Sequence, residues 1–382
     1  MLSQETREII KATVPVLEQH GTEITSVFYA HMFEEHPELF NVFNKANQKL
    51  GRQQTALAQT VLAAAKHIDH LEAIIPNVNQ IAHKHRALGI KPEQYPIVGE
   101  NLIYAIRKVL GEEVTPEIIN AWTEAYGVIA DVFIQMEAAL YQEAAWEGFE
   151  PFKVVRIKEE SAHIKSFVVK PVDATQLKPV VAGQYITVKV HPEGDPNDML
   201  RHYSICHTDV SQGIEFAVKR DVQGDVKGAV SNYLHDRVKE GDEILLSAPA
   251  GEFVVADTDR PLAFISGGVG MTPVMAMLHE QAAKGKDIKF IHSAYNRDEV
   301  PFKDEIAEFH HKENVQFYFN YSEANGRLTK EKLEKILKGS EEIYMCGSVG
   351  FMEGLLATLD AMGISRGQVH FEPFGPKMSI TV

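Results

Sequence analysis

The feature that most constrains the fold of this chain is an abrupt change of periodicity at residues 146–151, Trp-Glu-Gly-Phe-Glu-Pro. Before this joint, apolar residues recur at spacings of three and four, the pattern of helices packed by one face. After it, residues 152–157, 164–169 and 185–190 are rich in Val and Ile and alternate in polarity, which predicts antiparallel strands. Residues 1–146 are therefore predicted to form an all-α domain.

Two further domains follow from the same reasoning. The strand pattern continues through residues 214–219 and 243–247 around one predicted helix at 229–239, which suits a small antiparallel β-barrel. After Arg260-Pro261, apolar runs alternate with helical patterns, which predicts an α/β domain with a mainly parallel sheet. We predict domains at residues 1–146, 147–258 and 259–382, with parallel strands at 262–266, 287–293, 315–320, 342–346 and 368–371.

The composition argues against some classes of binding partner and indicates the cellular compartment. With 38 Lys and Arg against 53 Asp and Glu, the formal net charge is −15, which disfavours nucleic acid or an anionic membrane as a main partner. The two cysteines, Cys206 and Cys346, lie far apart, so neither a disulfide framework nor a thiolate metal site is expected. The chain shows neither a signal-peptide pattern nor a run of about 18 apolar residues. We therefore expect a cytoplasmic protein without obligate membrane association. We separately expect it to be a monomer.

One histidine of the helical domain lies on an apolar helix face. Val78, Ile81 and Leu88 recur at spacings of three and seven, and His85 falls on the same face. His83 is rotated by more than half a turn and is expected to point toward solvent, so the two histidines cannot bind one metal ion from one helix. From this helix alone, a core histidine and a metal ligand both remain open.

Further polar side chains interrupt apolar faces in this domain. Glu137 falls on the apolar stripe of the last helix, where a carboxylate is costly unless a donor meets it. The alternative for Glu137 is a solvent-facing position near the helix end. Gln53 interrupts a second face in the same manner, although Gln54 fits that face nearly as well. Tyr29 lies in an aromatic-rich helix, where a core tyrosine is the ordinary interpretation.

In order and separation, these residues resemble the globin domain of a flavohaemoglobin, the bacterial nitric oxide dioxygenase. The resemblance implies a globin fold that holds haem b between its helices. It also implies His85 as the axial iron ligand, Phe43 packed on the porphyrin, and Tyr29 and Gln53 on the oxygen-binding side. The matching positions are Phe28-Tyr29, Phe40-Asn41-Val42-Phe43-Asn44, Gln53, His83-Lys84-His85, Tyr95 before Pro96, and Glu137.

The polar side chains then acquire chemical roles. A ligating histidine normally presents its second ring N–H to an acceptor, which fixes its tautomer and raises its basicity. Glu137, with Tyr95 beside it, can be that acceptor, and Lys84 can position this group or the haem edge. A more electron-rich imidazole favours redox chemistry over reversible oxygen carriage. On the opposite side, the Tyr29 hydroxyl can donate to charge that develops on bound O₂, assisted by Gln53.

A second set of residues resembles the FAD-binding barrel of the ferredoxin–NADP reductase superfamily. The motif Arg201-His202-Tyr203-Ser204 lies in a predicted strand, and Gly228 leads into a helix whose free N–H groups favour an anion. Many relatives have adjacent glycines before that helix, whereas this chain has Gly224 and then Gly228. How this loop binds FAD therefore stays open. The resemblance implies that Arg201 binds the FAD diphosphate, that Tyr203 lies against the isoalloxazine and that Ser204 lies near its reactive nitrogen, with His202 inside the same motif. It also implies that Tyr185 covers the remaining flavin or adenine surface and that the Val230 and Ser231 N–H groups bind phosphate.

A third set lies between a predicted strand and helix and indicates a nicotinamide dinucleotide. Glycines there let a dinucleotide approach the backbone, and the helix N-terminus favours pyrophosphate. The G-G-x-G spacing fits the reductase superfamily better than a typical dehydrogenase. NADH and NADPH both remain open, since Arg297 can meet a 2′-phosphate. The resemblance implies that the dinucleotide contacts Gly267, Gly268, Val269, Gly270, Met271 and Thr272. It implies that Cys346 and Gly347 lie beside the nicotinamide, although Cys346 can also be an inert cysteine. It further implies that a C-terminal tail returns to the flavin, formed by Glu372, Pro373, Phe374, Gly375 and Pro376.

The resemblance covers nearly the whole chain and implies one function. NAD(P)H electrons pass through FAD to haem, and nitric oxide and O₂, the small-molecule substrates, are converted to nitrate. Two alternatives remain open at the level of sequence. One is an NAD(P)H-flavin reductase of other acceptors, such as ferric iron or quinone, and the other is an oxygen carrier or sensor globin.

Overall fold

The computed structural model describes residues 2–43, 52–173, 177–223 and 226–374. Within these ranges, the side chains of residues 52–53, 222–223 and 226–227 are not described. The chain forms two compact units: Met1–Gly148 with Glu193–Leu200, and Phe149–Pro192 with Arg201–Val382. The helical domain belongs to the first unit, and the strand-rich domains belong to the second.

The first unit is built from helices whose ends follow the local sequence. The Thr115 hydroxyl accepts from Ile118 N at 3.4 Å, and Pro116 occupies the first helical turn, where its missing N–H has no cost. Gly89, with φ of 79°, ends the helix that carries His85 in the left-handed conformation. The helices are α1 Gln4–Ala12, α2 Val14–Glu35, α3 Arg52–Lys66, α4 Ile75–Leu88, α5 Gln94–Leu110 and α6 Pro116–Glu143, with 3₁₀ turns at Pro37–Asn41, Leu71–Ile74 and Gly111–Glu113.

The core of the helical domain lies where α2 packs against α3 and α5, and where α6 packs on α1 and α5. Phe28, Met32 and Ile106 are each at most 2% exposed, and Trp122 fills the same cluster from α6. Burial of this many apolar side chains supplies the main driving force for packing the amphipathic helices. A second cluster around Val78 and Phe133 brings α4 against α6, which places His85 and Glu137 on facing helices.

The second unit begins with an antiparallel barrel. Its six-stranded sheet has the order β4-β3-β8-β1-β2-β5. An antiparallel bridge between Ile205 and Phe216 joins the two end strands, which closes the sheet on itself. Phe167 and Phe216 stack inside it at 5.5 Å between ring centroids. The strands are β1 Phe149–Ser161, β2 Ile164–Pro171, β3 Tyr185–Val190, β4 Met199–Ser204, β5 Ile214–Lys219, β6 Val222–Gln223, β7 Val226–Lys227 and β8 Glu243–Ser247, with one helix, α7 Ala229–Asp236.

The rest of the second unit is an α/β domain around a five-stranded parallel sheet of order β11-β10-β9-β12-β13. The strand order reverses at β9, so the loops that follow β9 and β12 meet at a topological switch point. The elements are β9 Leu262–Gly267, α8 Met271–Ala283, β10 Ile288–Ala294, α9 Lys303–Glu308, β11 Val315–Tyr321, α10 Ser322–Asn325, α11 Lys330–Glu334, β12 Glu342–Ser348, α12 Val349–Ala361 and β13 Val369–Phe374, with 3₁₀ turns at Gly268–Gly270, Arg297–Glu299, Phe309–His311 and Arg366–Gln368.

The fold class predicted from the sequence is confirmed: a helical domain, an antiparallel barrel and a parallel α/β domain follow one another. The exact domain limits at residues 146/147 and 258/259 stay predictions. Helix α6 ends at Glu143 and β1 begins at Phe149, on either side of the predicted first joint. Among the described residues, no helix is both long and apolar enough to cross a membrane.

Candidate functional site

The candidate site of the helical domain is a hydrogen-bonded group of three side chains, of which the carboxylate is buried. Glu137, which is 2% exposed, accepts from His85 Nδ1 at 2.7 Å and from the Tyr95 hydroxyl at 2.6 Å, both on Oε1. His85 Nδ1 also lies 3.1 Å from Tyr95 Oη. Since Nδ1 is engaged with the carboxylate, Nε2 is the nitrogen left to bind a metal. This donor set fits haem iron, which takes a histidine as its proximal ligand.

The buried carboxylate decides between the two interpretations of Glu137. A solvent-facing position near the helix end is wrong, because Glu137 turns inward and receives two donors. Burial, followed by the hydrogen bond to Glu137, raises the pKa of Tyr95, so its hydroxyl keeps its proton. The proton on Tyr95 therefore stabilises the charged carboxylate beside His85.

Two tyrosines of α6 fix the backbone around Tyr95. The Tyr126 hydroxyl donates to the Tyr95 carbonyl oxygen at 2.5 Å, and Tyr141 donates to the Ile90 carbonyl at 2.6 Å. Burial raises the pKa of Tyr126 above its usual range and that of Tyr141 to about 12. Both side chains are therefore neutral donors from α6 that fix the backbone just after α4 and at the start of α5.

Gly99 makes the position of Tyr126 possible, and its replacement gives a first prediction. A Cβ at Gly99 would lie 2.6 Å from Tyr126 Cε1. We expect Gly99→Ala to lower the free energy of unfolding by about 1–3 kcal/mol, the usual range for overpacking. The measurement is urea unfolding followed by circular dichroism.

Gly127 is the matched control for Gly99. It also lies in a helix interior, but a Cβ there meets no described atom within 4 Å. Gly127→Ala is expected to stabilise the protein by about 0.5–1 kcal/mol, because alanine loses less backbone entropy than glycine. Equal effects of the two substitutions would contradict a steric role for Gly99.

Tyr29 lies in an aromatic cluster of the same domain. Its ring is 4.8 Å from Phe28 in an edge arrangement, 5.9 Å from Phe33 in a stack and 5.9 Å from Phe43 at 75°. Burial raises the pKa of Tyr29, so the hydroxyl stays protonated. Within the described part of the chain, no residue accepts a hydrogen bond from it. The cluster therefore holds a protonated hydroxyl that is available as a donor.

Two sequence-predicted residues near this cluster need separate comment. The side chain of Gln53 lies outside the described residues, so its predicted place on the oxygen-binding side stays a prediction. Lys84 lies next to His85 on α4 and is half-buried. Its role in positioning the haem edge also stays a prediction.

In the barrel, β4 presents the motif predicted to bind FAD. Alternate residues of a strand point to opposite faces, so Arg201 and Tyr203 share one face and His202 and Ser204 share the other. Tyr203 stacks on Phe216 at 5.6 Å between ring centroids. Burial lowers the pKa of Arg201, while nearby Tyr203 and Asp221 favour its charge. A partly desolvated guanidinium is a donor set that suits a diphosphate.

On the other face, His202 is tied to β3. Its Nδ1 lies 2.8 Å from the Thr187 hydroxyl, and its ring centroid lies 4.8 Å from that of Tyr185. A Cβ on Gly251 would approach Tyr185 Cε1 to 2.9 Å, so a glycine is required where the ring packs. The structure thus brings together Tyr185 and the β4 motif, which the sequence placed on separate strands.

The start of α7 is the predicted phosphate contact. Val230 is fully buried, and the Ser231 hydroxyl accepts from Asp221 N at 3.1 Å and donates to the Gly228 carbonyl at 3.2 Å. The side chains of Val230 and Ser231 therefore secure the turn, and their backbone N–H groups are the part suited to an anion. Gly224, whose spacing departs from the family pattern, lies outside the described residues.

The predicted nucleotide loops meet at the switch point of the parallel sheet. A Cβ on Gly270 would lie 2.3 Å from the Cys346 carbonyl oxygen, so the loop after β9 touches the end of β12. Gly268 has φ of +55°, and a Cβ there would meet no described atom within 4 Å. An open glycine backbone at this position fits the close approach of a dinucleotide.

The other predicted residues of these loops differ in whether their side chains are buried and in which strand they pair with. Met271 and Thr272 are at most 1% exposed, and the Thr272 hydroxyl donates to Val269 O at 3.0 Å. Their predicted contact with the dinucleotide stays a prediction, and it would have to come from the backbone rather than from these side chains. Cys346 is fully buried, and burial raises its thiol pKa well above the usual value, which supports an inert cysteine. In β13, Glu372, Pro373 and Phe374 pair with Cys346, Gly347 and Ser348 of β12, while Gly375 and Pro376 lie outside the described residues.

A histidine under the nucleotide loop gives a pH-dependent prediction. His292 is fully buried, its Nδ1 lies 2.8 Å from the Ser266 hydroxyl, and burial lowers its pKa to about 3. Between pH 6.5 and pH 3 the unfolded chain binds a proton that the folded chain does not, so the free energy of unfolding falls as pH falls. The slope from this group is at most about 1.4 kcal/mol per pH unit.

The variant that tests this prediction is His292→Gln. Glutamine cannot titrate, and its side-chain amide can still form a hydrogen bond with the Ser266 hydroxyl. We expect its unfolding free energy, from urea titrations at pH 7 and pH 5, to depend less steeply on pH than that of the parent protein. Parallel pH profiles for the two proteins would show that His292 is not the responsible group.

Three family models match the chain in sequence. The model described as Globin matches residues 26–133, the model described as Oxidoreductase FAD-binding domain matches residues 151–255, and the model described as Oxidoreductase NAD-binding domain matches residues 264–356. The three sites described above therefore lie in domains of the predicted kinds.

Relatives match the chain over its whole length. A flavohemoprotein of Bacillus cereus is 45% identical, with 100% of both chains covered, and flavohemoprotein A of Dictyostelium discoideum is 43% identical over 99% of this chain and 100% of its own. A crystal structure of flavohemoglobin from Malassezia yamatoensis, with bound FAD and heme, superposes with a TM-score of 0.88 at 26% identity, covering 98% of this chain and 100% of that one. The FAD/NAD-binding domain of a nitric oxide dioxygenase from Vibrio cholerae, at 33% identity and a TM-score of 0.55, covers 59% of this chain and 99% of its own. The chain therefore belongs to the flavohaemoprotein family, and the predicted cofactors haem, FAD and a nicotinamide dinucleotide are confirmed.

Proposed function

We propose that this protein is an NAD(P)H-dependent nitric oxide dioxygenase that converts nitric oxide and O₂ to nitrate and so removes nitric oxide. The observation that carries the proposal is the carboxylate of Glu137, buried at 2% exposure and bonded to both His85 Nδ1 and Tyr95 Oη. A haem that only stores oxygen has no need of a buried charge behind its ligand. A relative bearing the name nitric oxide dioxygenase, from Vibrio cholerae, supports the same activity.

Each domain of the chain would hold one cofactor through the residues described above. His85 would hold the iron through Nε2, Arg201 and Tyr203 would hold FAD, and the loop from Gly267 to Gly270 would hold the dinucleotide. When bound, the dinucleotide would supply the hydride, FAD would separate its two electrons, and the haem iron would bind O₂. The remaining chemistry belongs to the side chains.

The contribution of Glu137 is electrostatic. By accepting a hydrogen bond from His85 Nδ1–H, the carboxylate polarises the N–H bond and makes the ring a stronger electron donor through Nε2. The interaction is strengthened by burial, because a low local dielectric screens charge less than water does. Tyr95 keeps the carboxylate oriented, and Tyr126 keeps Tyr95 in place through its 2.5 Å bond. The proton stays on Nδ1 throughout, so the group tunes the ligand and does not transfer the proton away.

Tyr29 would act on the side where substrates bind. Phe28, Phe33 and Phe43 contact its ring, while burial keeps its hydroxyl protonated. A fixed neutral donor in an apolar surrounding stabilises negative charge that develops on a small ligand during reaction. Gln53 would assist as a second donor.

Two other functions are separable from this one by measurement. A flavin reductase of other acceptors would use the FAD and nucleotide sites alone, and an oxygen carrier would use the globin domain alone. The His85–Glu137–Tyr95 group argues against the carrier, since it strengthens electron donation to iron. Ferric iron or quinone reduction without consumption of nitric oxide would support the reductase.

The direct test is rapid mixing of protein reduced anaerobically by NADH with a solution of nitric oxide and O₂. We expect nitric oxide to disappear much faster than in buffer and nitrate to accumulate in matching amount. Flavin reduction by NADH is followed in the same experiment as a control for an intact reductase. Decay of nitric oxide at the buffer rate, with flavin reduction intact, would contradict the proposal.

A further inference from the structure

Away from the three cofactor sites, two histidines and a glutamate converge inside the second unit. His207 Nε2 lies 3.1 Å from Glu305 Oε2, and His279 Nε2 lies 3.3 Å from the same oxygen. One possible ligand atom from each of the three residues lies within 4.8 Å of the others. Both imidazoles therefore turn Nε2 toward one carboxylate oxygen, and the three donor atoms lie close enough together for one cation to bind between them.

Two of the three separations among these atoms match the ligand spacing around a small divalent ion, and the third is at most 4.8 Å. For Zn²⁺ bound at about 2.0–2.1 Å in a tetrahedron, neighbouring ligand atoms lie about 3.3 Å apart. The two measured separations from Glu305 Oε2, 3.1 and 3.3 Å, agree with that edge length. Two imidazoles with a carboxylate form a donor set that zinc prefers, whereas magnesium and calcium prefer oxygen ligands alone.

The surroundings are suited to hold the ligands and to admit an ion. The His279 ring packs edge-on against Phe309 at 4.9 Å between centroids and lies 4.5 Å from the His207 ring, which restrains both imidazoles. The three ligand side chains remain 18–26% exposed, so an ion can reach them from solvent. Glu215, whose Oε2 is 3.7 Å from His207 Nε2, adds negative charge beside the site. Arg156 Nη2 lies 3.3 Å from Glu215 Oε2.

The three ligands come from different parts of the reductase unit. His207 follows β4 in the barrel that matches the FAD-binding model, whereas His279 on α8 and Glu305 on α9 belong to the region that matches the NAD-binding model. We propose that His207, His279 and Glu305 form a zinc site, with a water as the fourth ligand, that ties the FAD-binding barrel to the nucleotide-binding domain. This site is independent of the proposed dioxygenase activity.

The test is zinc binding to the full-length protein that contains haem and FAD, after treatment with a chelator. Isothermal titration with ZnCl₂ is expected to show one strong site, and Glu305→Gln is expected to weaken it. Glutamine can still accept hydrogen bonds from both imidazoles, so the apo contacts survive while the anionic ligand is lost. Since even indirect partners of a metal affect its affinity by 10–100-fold, loss of this ligand should weaken binding by at least about tenfold.

His311→Ala is the matched control, because His311 is an exposed histidine of the same domain that lies outside the cluster. We expect its zinc affinity to equal that of the parent protein. Zinc-edge X-ray absorption on the loaded parent protein needs no variant and should show two imidazoles in the first shell. Absence of a strong zinc site, equal affinity in Glu305→Gln, or a first shell without two imidazoles would each overturn the proposal.

Discussion

Replacement of His85 by alanine is expected to give a protein that contains FAD and accepts electrons from NADH but carries no haem. The imidazole is the candidate iron ligand, and without it the iron has no protein ligand from α4. Glu137 then keeps only Tyr95 as a donor, which leaves a buried carboxylate less well paired. The FAD and nucleotide residues belong to the other compact unit and are left unchanged. The measurement compares the Soret and flavin absorption bands and follows anaerobic bleaching of the flavin by NADH.

His83→Ala is the control on the same helix. His83 lies two residues earlier on α4, which rotates it by more than half a turn from His85, and it is half-buried rather than solvent-facing as the sequence predicted. This variant is expected to keep the full Soret band. A Soret band of normal intensity in His85→Ala would show that another residue binds the iron, and simultaneous loss of haem and FAD would contradict independent cofactor domains.

Much of the fold was predictable because local pattern and tertiary structure agree. The predicted strands at residues 185–190, 214–219 and 243–247 coincide with β3, β5 and β8, each of which has Gly, Pro or Asp residues close by. Strand β1 is longer than its predicted core of residues 152–157 and runs over Phe149–Ser161. Its register shifts at Val154/Arg156 and Glu159/Ser161, and such bulges break the alternation on which the prediction depends.

The residues of the candidate sites also differ in how far the sequence alone could identify them. Motifs that are contiguous in sequence, such as the β4 motif and the Gly267–Gly270 loop, could be recognised from the sequence as candidate binding segments. Partners that come from distant elements could not, since no local pattern states that Tyr126 bonds the Tyr95 carbonyl. Periodicity placed Glu137 on an apolar stripe and left its burial open, because burial depends on the opposing helix α4. The cluster of His207, His279 and Glu305 left no sequence signal, since its members occur singly on three elements.

Conversion of Glu137 to glutamine is expected to slow nitric oxide turnover while haem and FAD remain bound. Glutamine keeps a side-chain oxygen that can accept from His85 Nδ1, so the ligand stays oriented and haem is retained. It removes the negative charge, and a hydrogen bond to a neutral acceptor is about half as strong as one to a carboxylate. Since partners of a ligating histidine typically affect activity by 10–100-fold, we expect a loss within that range, with unchanged flavin reduction by NADH.

Glu143→Gln is the matched control for this change, because Glu143 is an exposed carboxylate near the end of the same helix, α6. It removes the same charge from the domain without touching His85 and is expected to leave turnover unchanged. Tyr95→Phe removes one donor to Glu137 but keeps the carboxylate, so its effect on turnover should be smaller than that of Glu137→Gln. If Glu137→Gln turns over at the parent rate with full haem content, the buried charge orients the imidazole without activating it. Electron donation by His85 would then be set by the ring alone, and the argument from this carboxylate against an oxygen carrier would fail.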